Sequence, residues 1–415
     1  MGCLIGALTL GVAACGSDDD KEEGGGSGGA AAGEISGSKL TIYSSLPEQG
    51  ASGPQTKAIE NGAKIALQQV GGKVGKYTID YKPLDDSIAS SGAADEGKAA
   101  QNARKAVQDK TTITYLGEYN SGISKVTIPI LNKAGIPQIS PANTYVGLTT
   151  DEPGSETGEP DKYYPTKKRT YARVVPKDTI QGAALAAAAK EDGCKAVTIW
   201  NSKTTYSAGL ARNVEMSLKD LGISVDDNEG IDPKAPNYRS LAAKIKSDCF
   251  IFTGEIESNG IQALKDGASA GSVQFLYGGD GVVLKDTADP KKGLPANIAS
   301  KFKGTIATLD PEAFNEDGKK FFADYEKAYN ETTPDPYAIY GYESMALALD
   351  AIKRAGEPVS RQKVVDAVLS TKGRDSVLGT YDIDENGDTT LTDYGLYKIE
   401  NGELVFDKVL KAKAN

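Results

Sequence analysis

Residues 195–231 read KAVTIWNSKTTYSAGLARNVEMSLKDLGISVDDNEGI, and this stretch decides the fold. It begins with a short apolar strand, KAVTIWNS, continues as an amphipathic helix, YSAGLARNVEMSLKDLG, and ends in a second strand, ISVDDNEGI. Two strands joined by a helix run parallel, because the crossover carries the chain back to the edge at which the first strand began. The stretch therefore predicts a parallel sheet covered by helices.

The same alternation of strands and helices extends in both directions from this stretch. A first set contains the strands KLTIYSSL, KYTIDYKPLDD, ITYLGE and IPQISPA, separated by the helices QTKAIENGAKIALQQV, DEGKAAQNARKAVQD and SKVTIPILNKAG. The second set, from residue 179 onward, contains the quoted stretch together with the strands DCFIFTG and QFLYGGD and the helices TIQGAALAAAAKEDG, YRSLAAKIKS and GIQALKDGASA. Two α/β sets of similar size predict two lobes, with a ligand crevice at the carboxyl ends of the strands.

The composition excludes several classes of function. Among 415 residues, 57 are acidic, 47 are basic and none is histidine, which gives a formal net charge of -10. An acidic protein is a poor partner for nucleic acid or for an anionic membrane surface. Without histidine there is no imidazole base, no Ser/His/Asp triad and no histidine metal ligand. The length is sufficient to bury a ligand in a cleft between domains.

The N-terminal segment differs from the rest of the chain. Residues 1–15, MGCLIGALTLGVAAC, are apolar and uncharged, which is typical of the hydrophobic region of a signal peptide. The last four of them, VAAC, resemble the lipobox of bacterial lipoproteins, which implies cleavage before Cys15 and a lipid on its thiol. Residues 16–37 are acidic and glycine-rich, and we predict that they form a disordered tether. The expected location is therefore extracytoplasmic, in the cell envelope, with a lipid anchor in the membrane.

Two of the four cysteines remain once the leader has been removed and Cys15 has been acylated. Cys194 directly precedes the strand AVTIW, and Cys249 begins the strand segment CFIFTG. If these strands are parallel neighbours, their N-terminal ends lie within disulfide reach. In an oxidising compartment this predicts a Cys194–Cys249 disulfide, whereas two buried free thiols are the alternative.

Seven segments, in this order, resemble a known family. They are SSLPEQGASGPQ, GEYNSGIS, ISPANTYVGLT, YSAGLARNV, FTGE, GGDGV and LGTYDIDENGD. Their order and spacing are similar to those of the branched-chain amino acid (leucine/isoleucine/valine) binding proteins of ABC importers, and the likeness runs over residues 38–410.

The resemblance implies the type I periplasmic-binding-protein fold, an α/β fold of two Rossmann-like parallel-sheet lobes joined by three hinge crossings. The crossings are expected near residues 175, 305 and 378. The first lobe would then hold residues 38–175 and 305–378, and the second lobe residues 176–304 and 379–415. The helices FFADYEKAYN and AIYGYESMALALDAIKRAG would return to the first lobe.

The resemblance also places a site for a zwitterionic amino acid. Its carboxylate needs hydroxyl and backbone N–H donors, which loops at helix starts can supply. Carried over position by position, Ser121 is the hydroxyl that meets the carboxylate, Thr144 adds a hydroxyl and an N–H, and Ala142 contributes backbone. Helix capping is the alternative role for Ser121 and Thr144.

The second lobe is expected to hold the ammonium group. Asp280 in GGDGV occupies the position of the acid that binds the ammonium group, although the family usually has glutamate there. Tyr206 matches a tyrosine that lines the pocket, and a surface aromatic is its alternative role. Glu255 stands where a tyrosine is common, and Glu48 and Glu118 lie on candidate loops. An unpaired buried charge beside an aliphatic group is costly, so the ligand is expected to carry an extra cationic or polar group. Alternatively, Glu255 points to solvent or pairs with a lysine.

One loop has the spacing of calcium ligands. Oxygen-bearing side chains in the pattern D-x-D-x-N-G-x5-D can wrap Ca²⁺, and the residues concerned are Asp382, Asp384, Asn386, Asp388 and Asp393. Because strand-like segments flank the loop, we favour a hairpin, and neither a metal nor any other cofactor is expected.

The favoured function is a lipid-anchored solute-binding protein that is not an enzyme. Its expected partners are an amino acid or analogue, the permease and ATPase subunits of an ABC importer, and the membrane through its lipid, but no nucleic acid. It is expected to act as a monomer. A ligand-sensing receptor on the same fold is one alternative, and a hydrolase that uses Asp280 and Glu255 as an acid/base pair is another.

Overall fold

The structure is a computed structural model that describes residues 35–412. The predicted leader with Cys15, and residues 16–34 of the predicted tether, lie outside the described residues. Among the described residues, no helix combines the length and the apolar character that a membrane crossing requires.

The first sheet has six strands in the order β2-β3-β1-β4-β5-β6. Its strands are β1 (Lys39–Leu46), β2 (Lys73–Val74), β3 (Tyr77–Asp85), β4 (Thr112–Leu116), β5 (Gln138–Ser140) and β6 (Tyr171–Arg173). All neighbours are parallel except β2, which pairs with β3 in an antiparallel sense. Strands β1 and β4 are almost entirely buried, as expected for central parallel strands with helices on both faces.

The second sheet has seven strands in the order β15-β14-β11-β10-β9-β7-β8. The remaining strands of the chain are β7 (Ala196–Asn201), β8 (Ser224–Gly230), β9 (Cys249–Phe252), β10 (Phe275–Gly278), β11 (Phe302–Ile306), β12 (Arg374–Ser376), β13 (Gly379–Tyr381), β14 (Asp393–Glu400) and β15 (Glu403–Lys411). Strands β12 and β13 form a separate antiparallel hairpin. Two layered sheets confirm the predicted two-lobed α/β fold.

One edge of the second sheet departs from the predicted parallel arrangement. Strand β14 is antiparallel to both β11 and β15. Only Asn401 and Gly402 connect β14 to β15, and both have positive φ angles, 52° and 83°. Such a two-residue turn reverses the chain, so β14 and β15 form a hairpin.

The helices cover both sheets. They are α1 (Gly53–Gln69), α2 (Glu96–Gln108), α3 (Ser121–Lys133), α4 (Asp178–Glu191), α5 (Thr205–Asp220), α6 (Arg239–Ala242), α7 (Gly260–Ala268), α8 (Lys285–Ala288), α9 (Ala296–Ala299), α10 (Glu316–Tyr329), α11 (Ala338–Ala355) and α12 (Arg361–Leu369). The quoted stretch forms β7, α5 and β8, and Thr204 caps α5 by accepting the Ser207 N–H at 3.2 Å. Helix α6 is much shorter than the predicted YRSLAAKIKS.

Helices α1 and α11 pack closely although they are far apart in sequence. A Cβ atom at Gly62 would lie 2.0 Å from the Ala338 carbonyl oxygen, and one at Gly341 would lie 2.1 Å from the Ile59 carbonyl oxygen. Only glycine permits this approach, so the two positions bring α11 against the helix that follows β1.

A buried ion pair joins the end of the first sheet to the loop that precedes β14 of the second sheet. Arg173, at the end of β6, contacts Asp388 between β13 and β14, with 2.7 Å between Nε and Oδ1. Lys177 Nζ lies 3.4 Å from the other oxygen of Asp388.

The loop with the spacing of calcium ligands contains an antiparallel bridge between Ile383 and Thr389, as a hairpin requires. Within residues 35–412 no group of three or more acidic or cysteine side chains is placed to hold a metal ion.

A disulfide joins Cys194 to Cys249, with the Cα atoms 5.9 Å apart. Strands β7 and β9 are parallel neighbours, and Cys249 pairs in register with Val197. The bridge therefore lies at the N-terminal edge of the second sheet, at the opposite end of the strands from the cleft.

Candidate functional site

A small cavity, about 30 Å³ in volume, lies between the two sheets, at the carboxyl ends of their strands. Six of its lining residues are the ones singled out in the sequence: Ser121, Ala142, Thr144, Tyr206, Glu255 and Asp280. Four more line it without having been predicted: Tyr119, Asn120, Gly281 and Tyr337. The structure therefore brings all six predicted side chains to one cavity.

The first lobe contributes hydroxyl groups. Ser121 is the first residue of α3, and its Oγ accepts the backbone N–H of Tyr145 at 3.4 Å. Thr144 is only 1% exposed, and its Oγ1 makes no well-formed hydrogen bond within residues 35–412. Neither hydroxyl caps α3, whose N-cap residue is Asn120, so the capping alternative is wrong. The Ala142 N–H already donates to Ser140 Oγ at 3.2 Å, which leaves the carbonyl as its possible contribution.

The second lobe contributes Asp280, two residues after the Gly278 end of β10. Its two carboxylate oxygens accept hydrogen bonds from phenols, Tyr206 at 2.6 Å and Tyr337 at 2.7 Å. Burial raises the pKa of Asp280, whereas the two phenols oppose this shift because they stabilise the ionised form. The phenols hold the carboxylate in place and leave lone pairs on both oxygens for a further donor.

Glu255 follows β9 and is buried, with 6% of its surface exposed. Its oxygens accept hydrogen bonds from Ser202 Oγ at 2.7 Å and from Thr204 Oγ1 at 2.6 Å. Burial and the neighbouring charge of Glu257 raise the pKa of Glu255 to about 7. The alternative that this side chain points to solvent or pairs with a lysine is therefore wrong.

The other two acids expected near the cleft do not line the cavity. Glu118 is fully buried, accepts a hydrogen bond from Tyr115 Oη at 2.9 Å and lies beside Asp86. Glu48 is exposed, and its backbone N–H donates to Asp85 at 3.1 Å. Both sit on loops at the correct edge of the first sheet, but their side chains point away from the space between the lobes.

A further acid, Asp178, lies behind the cavity wall at the start of α4. Its N–H donates to the Thr144 carbonyl at 2.8 Å, and neither carboxylate oxygen makes a well-formed hydrogen bond within residues 35–412. Burial and the charge of Asp280 raise its pKa well above the ordinary value, although Thr144 and Arg173 oppose this. The site is thus surrounded by more acidic groups than the sequence indicated.

Contacts between the lobes surround the cavity. Glu257, on the short turn after Glu255, accepts hydrogen bonds from Ser52 Oγ at 2.9 Å and from Asn120 Nδ2 at 3.0 Å. Lys125 Nζ lies 3.1 Å from Thr205 Oγ1 at the start of α5. The two lobes therefore touch on this side of the cleft, and a small molecule held in the cavity would contact both.

Three of the four missed residues had a local signal, and one did not; Gly281 directly follows Asp280. Tyr119 and Asn120 directly precede Ser121 on the same loop, so the loop that supplied Ser121 could have indicated them. Tyr337 precedes α11 and lies 57 residues beyond Asp280 in the chain. Nothing in its neighbourhood marks it as a cavity residue.

Comparison with known proteins places residues 41–403 in one group. A family model described as periplasmic binding protein matches residues 41–403. The Leu/Ile/Val-binding protein homolog 1 of Brucella suis biovar 1 (strain 1330) is 26% identical over 364 residues, which cover 86% of this chain and 89% of the relative.

Solved structures share the fold. The leucine-binding protein LivK of Thermotoga maritima superposes with a TM-score of 0.75 at 24% identity, covering 90% of this chain and 99% of that one. A solute-binding protein of an R. palustris ABC transporter, solved in complex with benzoate, gives a TM-score of 0.73 at 20% identity, covering 91% and 98%.

Proposed function

The chain belongs to the periplasmic binding protein family, in the type I group that includes the Leu/Ile/Val-binding proteins, and from this premise we propose that it captures an amino acid or amino-acid-like solute between its lobes and delivers it to an ABC import permease. The observation that carries the proposal is the single cavity lined by Ser121 and Thr144 from one lobe and by Asp280 from the other. Hydroxyls on one side and a carboxylate on the other complement the two charged ends of a zwitterion.

Each charged end of the solute is assigned a partner among the residues of the cavity. The Thr144 hydroxyl lies in the cavity lining beside Asp178, and from there it can donate to the solute carboxylate beside Ser121. The ammonium group lies against Asp280, whose oxygens the two phenols already orient. A solute held by both lobes stabilises the closed arrangement relative to an open one, because its contacts with the second lobe form only when the lobes close.

Calorimetric titration of purified protein, with the co-purifying solute first identified by mass spectrometry, tests this proposal. Ser121→Ala and Asp280→Ala should each weaken binding by about 2 kcal/mol or more, which is roughly 30-fold, because each removes a buried hydrogen bond to a charged group. Ser300→Ala and Asp407→Ala alter exposed residues and should leave affinity unchanged. Unchanged affinity in both cavity variants would place the site elsewhere.

We also propose that the mature protein is anchored to the membrane through a lipid on Cys15, with residues 16–37 as the tether. The apolar segment and the VAAC motif support this proposal. Metabolic labelling with a fatty acid should label the wild-type protein and not Cys15→Ser, and the variant should leave the membrane fraction. Equal labelling of the two proteins would refute the anchor.

Asp280 and Glu255 are assigned to binding and not to hydrolysis. Each carboxyl group is held by two hydroxyl donors, which suits a fixed charge that orients a solute. The relatives are binding proteins, which supports the same assignment.

A further inference from the structure

We propose that the solute carries a second positively charged group besides its ammonium group, and that Glu255 binds this second group. The inference rests on the proposed function, because it concerns the same cavity. It names the class of solute: a small amino acid of net positive charge, with a short side chain that ends in an amine or guanidine.

The lining of the cavity is the first reason. Of its ten residues, two are carboxylic acids, Asp280 and Glu255, and none is a lysine or an arginine. None is a leucine, isoleucine, valine, methionine or phenylalanine either. An aliphatic side chain would therefore meet carboxylates, hydroxyls and tyrosine rings, with the methyl group of Ala142 as its one aliphatic neighbour in the lining.

The charge balance is the second reason. The one ammonium group of a zwitterion pairs with Asp280 and its carboxylate faces hydroxyl groups, so the negative charge of Glu255 is left uncompensated. An unpaired buried carboxylate is costly. Glu257 increases the cost at Glu255, because its charge is also negative. A second cationic group on the solute removes this imbalance.

The arrangement around Glu255 is the third reason. Ser202 and Thr204 donate to its two oxygens, a pattern that favours the ionised carboxylate and fixes its direction. Each oxygen keeps a lone pair for another donor. The side chain is therefore prepared to accept hydrogen bonds from a cationic group inside the cavity.

The first lobe shows that the same solute also has an acidic end. The Thr144 hydroxyl lines the cavity, is 1% exposed and makes no well-formed hydrogen bond within residues 35–412. A hydroxyl in this position can donate to an acceptor on the bound molecule. One anionic group against Thr144, one ammonium group against Asp280 and one cationic group against Glu255 give the solute a net charge of about +1.

Pairs of amino acids that differ only by an ammonium or a methyl group at the end of the side chain give the sharpest test. The pairs are 2,4-diaminobutyrate with norvaline and ornithine with norleucine, and arginine, leucine and asparagine complete the panel. In calorimetric titration of the solute-free protein at pH 8, we expect the cationic member of at least one pair to bind 100-fold or more tightly than its partner.

Glu255→Gln tests the assignment to this residue. The variant should reduce the preference within that pair to about fivefold or less, whereas Glu403→Gln, an exposed acid of the same lobe, should preserve it. Thermal unfolding checks that both variants are folded. The affinities of the two members of each pair are also compared on the wild-type protein, and that comparison does not depend on either variant.

The outcomes separate the inference from the proposed function. Tight binding of leucine, norvaline or asparagine without binding of any cationic amino acid would overturn the inference and leave the proposed function intact. Binding of no amino acid, together with no co-purifying solute, would overturn both. A preference for cations that survives in Glu255→Gln would overturn the role given to Glu255.

Discussion

The phenol of Tyr337 donates a 2.7 Å hydrogen bond to the carboxylate of Asp280. Tyr337 directly precedes α11, which packs on α1 beside the first sheet, whereas Asp280 lies two residues after the end of β10 of the second sheet. This hydrogen bond thus joins the two lobes, and it also orients the carboxylate that we propose binds the ammonium group of the solute.

Tyr337→Phe removes this hydrogen bond and keeps the aromatic ring. We expect solute affinity to fall by about 2 kcal/mol, roughly 30-fold, because the donor stabilises a buried charge. Titration with the co-purified solute measures the effect. Tyr342→Phe is the control: Tyr342 lies in α11, its hydroxyl contacts the exposed Gln69 at the end of α1, and the variant should bind as the wild type does. Equal affinity in the two variants would contradict the role of Tyr337.

Asp388→Ala should destabilise the contact between the end of β6 and the loop that precedes β14. Arg173 is fully buried and its Nε contacts Asp388 at 2.7 Å, so the variant leaves a buried guanidinium without its partner. The expected loss is about 3–5 kcal/mol in the free energy of unfolding, measured by denaturant titration. Asp382→Ala, on the same loop but with a 38% exposed side chain, should lose less than about 1 kcal/mol. Similar losses in the two variants would contradict the assignment.

Stability should fall as pH rises through the neutral range. Burial and the nearby Asp86 raise the pKa of Glu118 well above its ordinary value, and burial also raises the pKa of Asp86. The folded protein therefore retains protons that the unfolded chain releases above about pH 4.5. Since the folded state binds more protons, the free energy of unfolding decreases with pH, by up to about 1.4 kcal/mol per pH unit for each proton retained.

Denaturant titrations of the ligand-free protein from pH 5 to pH 7.5 measure this slope. Glu118→Gln cannot ionise and should flatten the slope, while Glu403→Gln should leave it as in the wild type. Glu255, Asp280 and Asp178 shift in the same direction, so part of the slope should remain in Glu118→Gln. A stability that rises with pH over this range would contradict the prediction.

The disulfide should stabilise the second lobe through the unfolded chain. It joins residues 55 apart in sequence, and closing a loop of this length reduces the entropy of the unfolded state by about 4 kcal/mol. Replacing Cys194 and Cys249 together with alanine should lower the free energy of unfolding by that amount. Dithiothreitol should destabilise the wild type and leave the double variant unchanged, and the absence of that difference would show that no bridge forms in solution.

Gly341→Ala should weaken the packing of α11 on α1. The new Cβ would lie 2.1 Å from the Ile59 carbonyl oxygen, so the helices must separate. We expect a loss of about 2–3 kcal/mol in the free energy of unfolding. Gly271→Ala has no atom within 4 Å of its new Cβ and should be neutral or slightly stabilising, and a neutral Gly341→Ala would contradict the close approach.

Much of the fold was predictable because its signals are local. Apolar strands that alternate with amphipathic helices indicated both sheets, and the turn chemistry near residues 382–393 favoured a hairpin. The antiparallel pairing of β15 was missed, since the segment after Asn401 and Gly402 reads as a strand whose partner depends on the order of the sheet. Six cavity residues were placed by resemblance, and all six line one cavity.

The sequence by itself determined the order of strands and helices, the α/β class and the chemical types available at each strand end, because backbone hydrogen bonding and hydrophobic periodicity act over a few neighbouring residues. Only the tertiary structure decided which of the candidate acids face the cavity and that Tyr337 orients one of them. Those choices depend on how segments far apart in the chain pack together, and a side chain's direction at a loop is set by the neighbours it meets there.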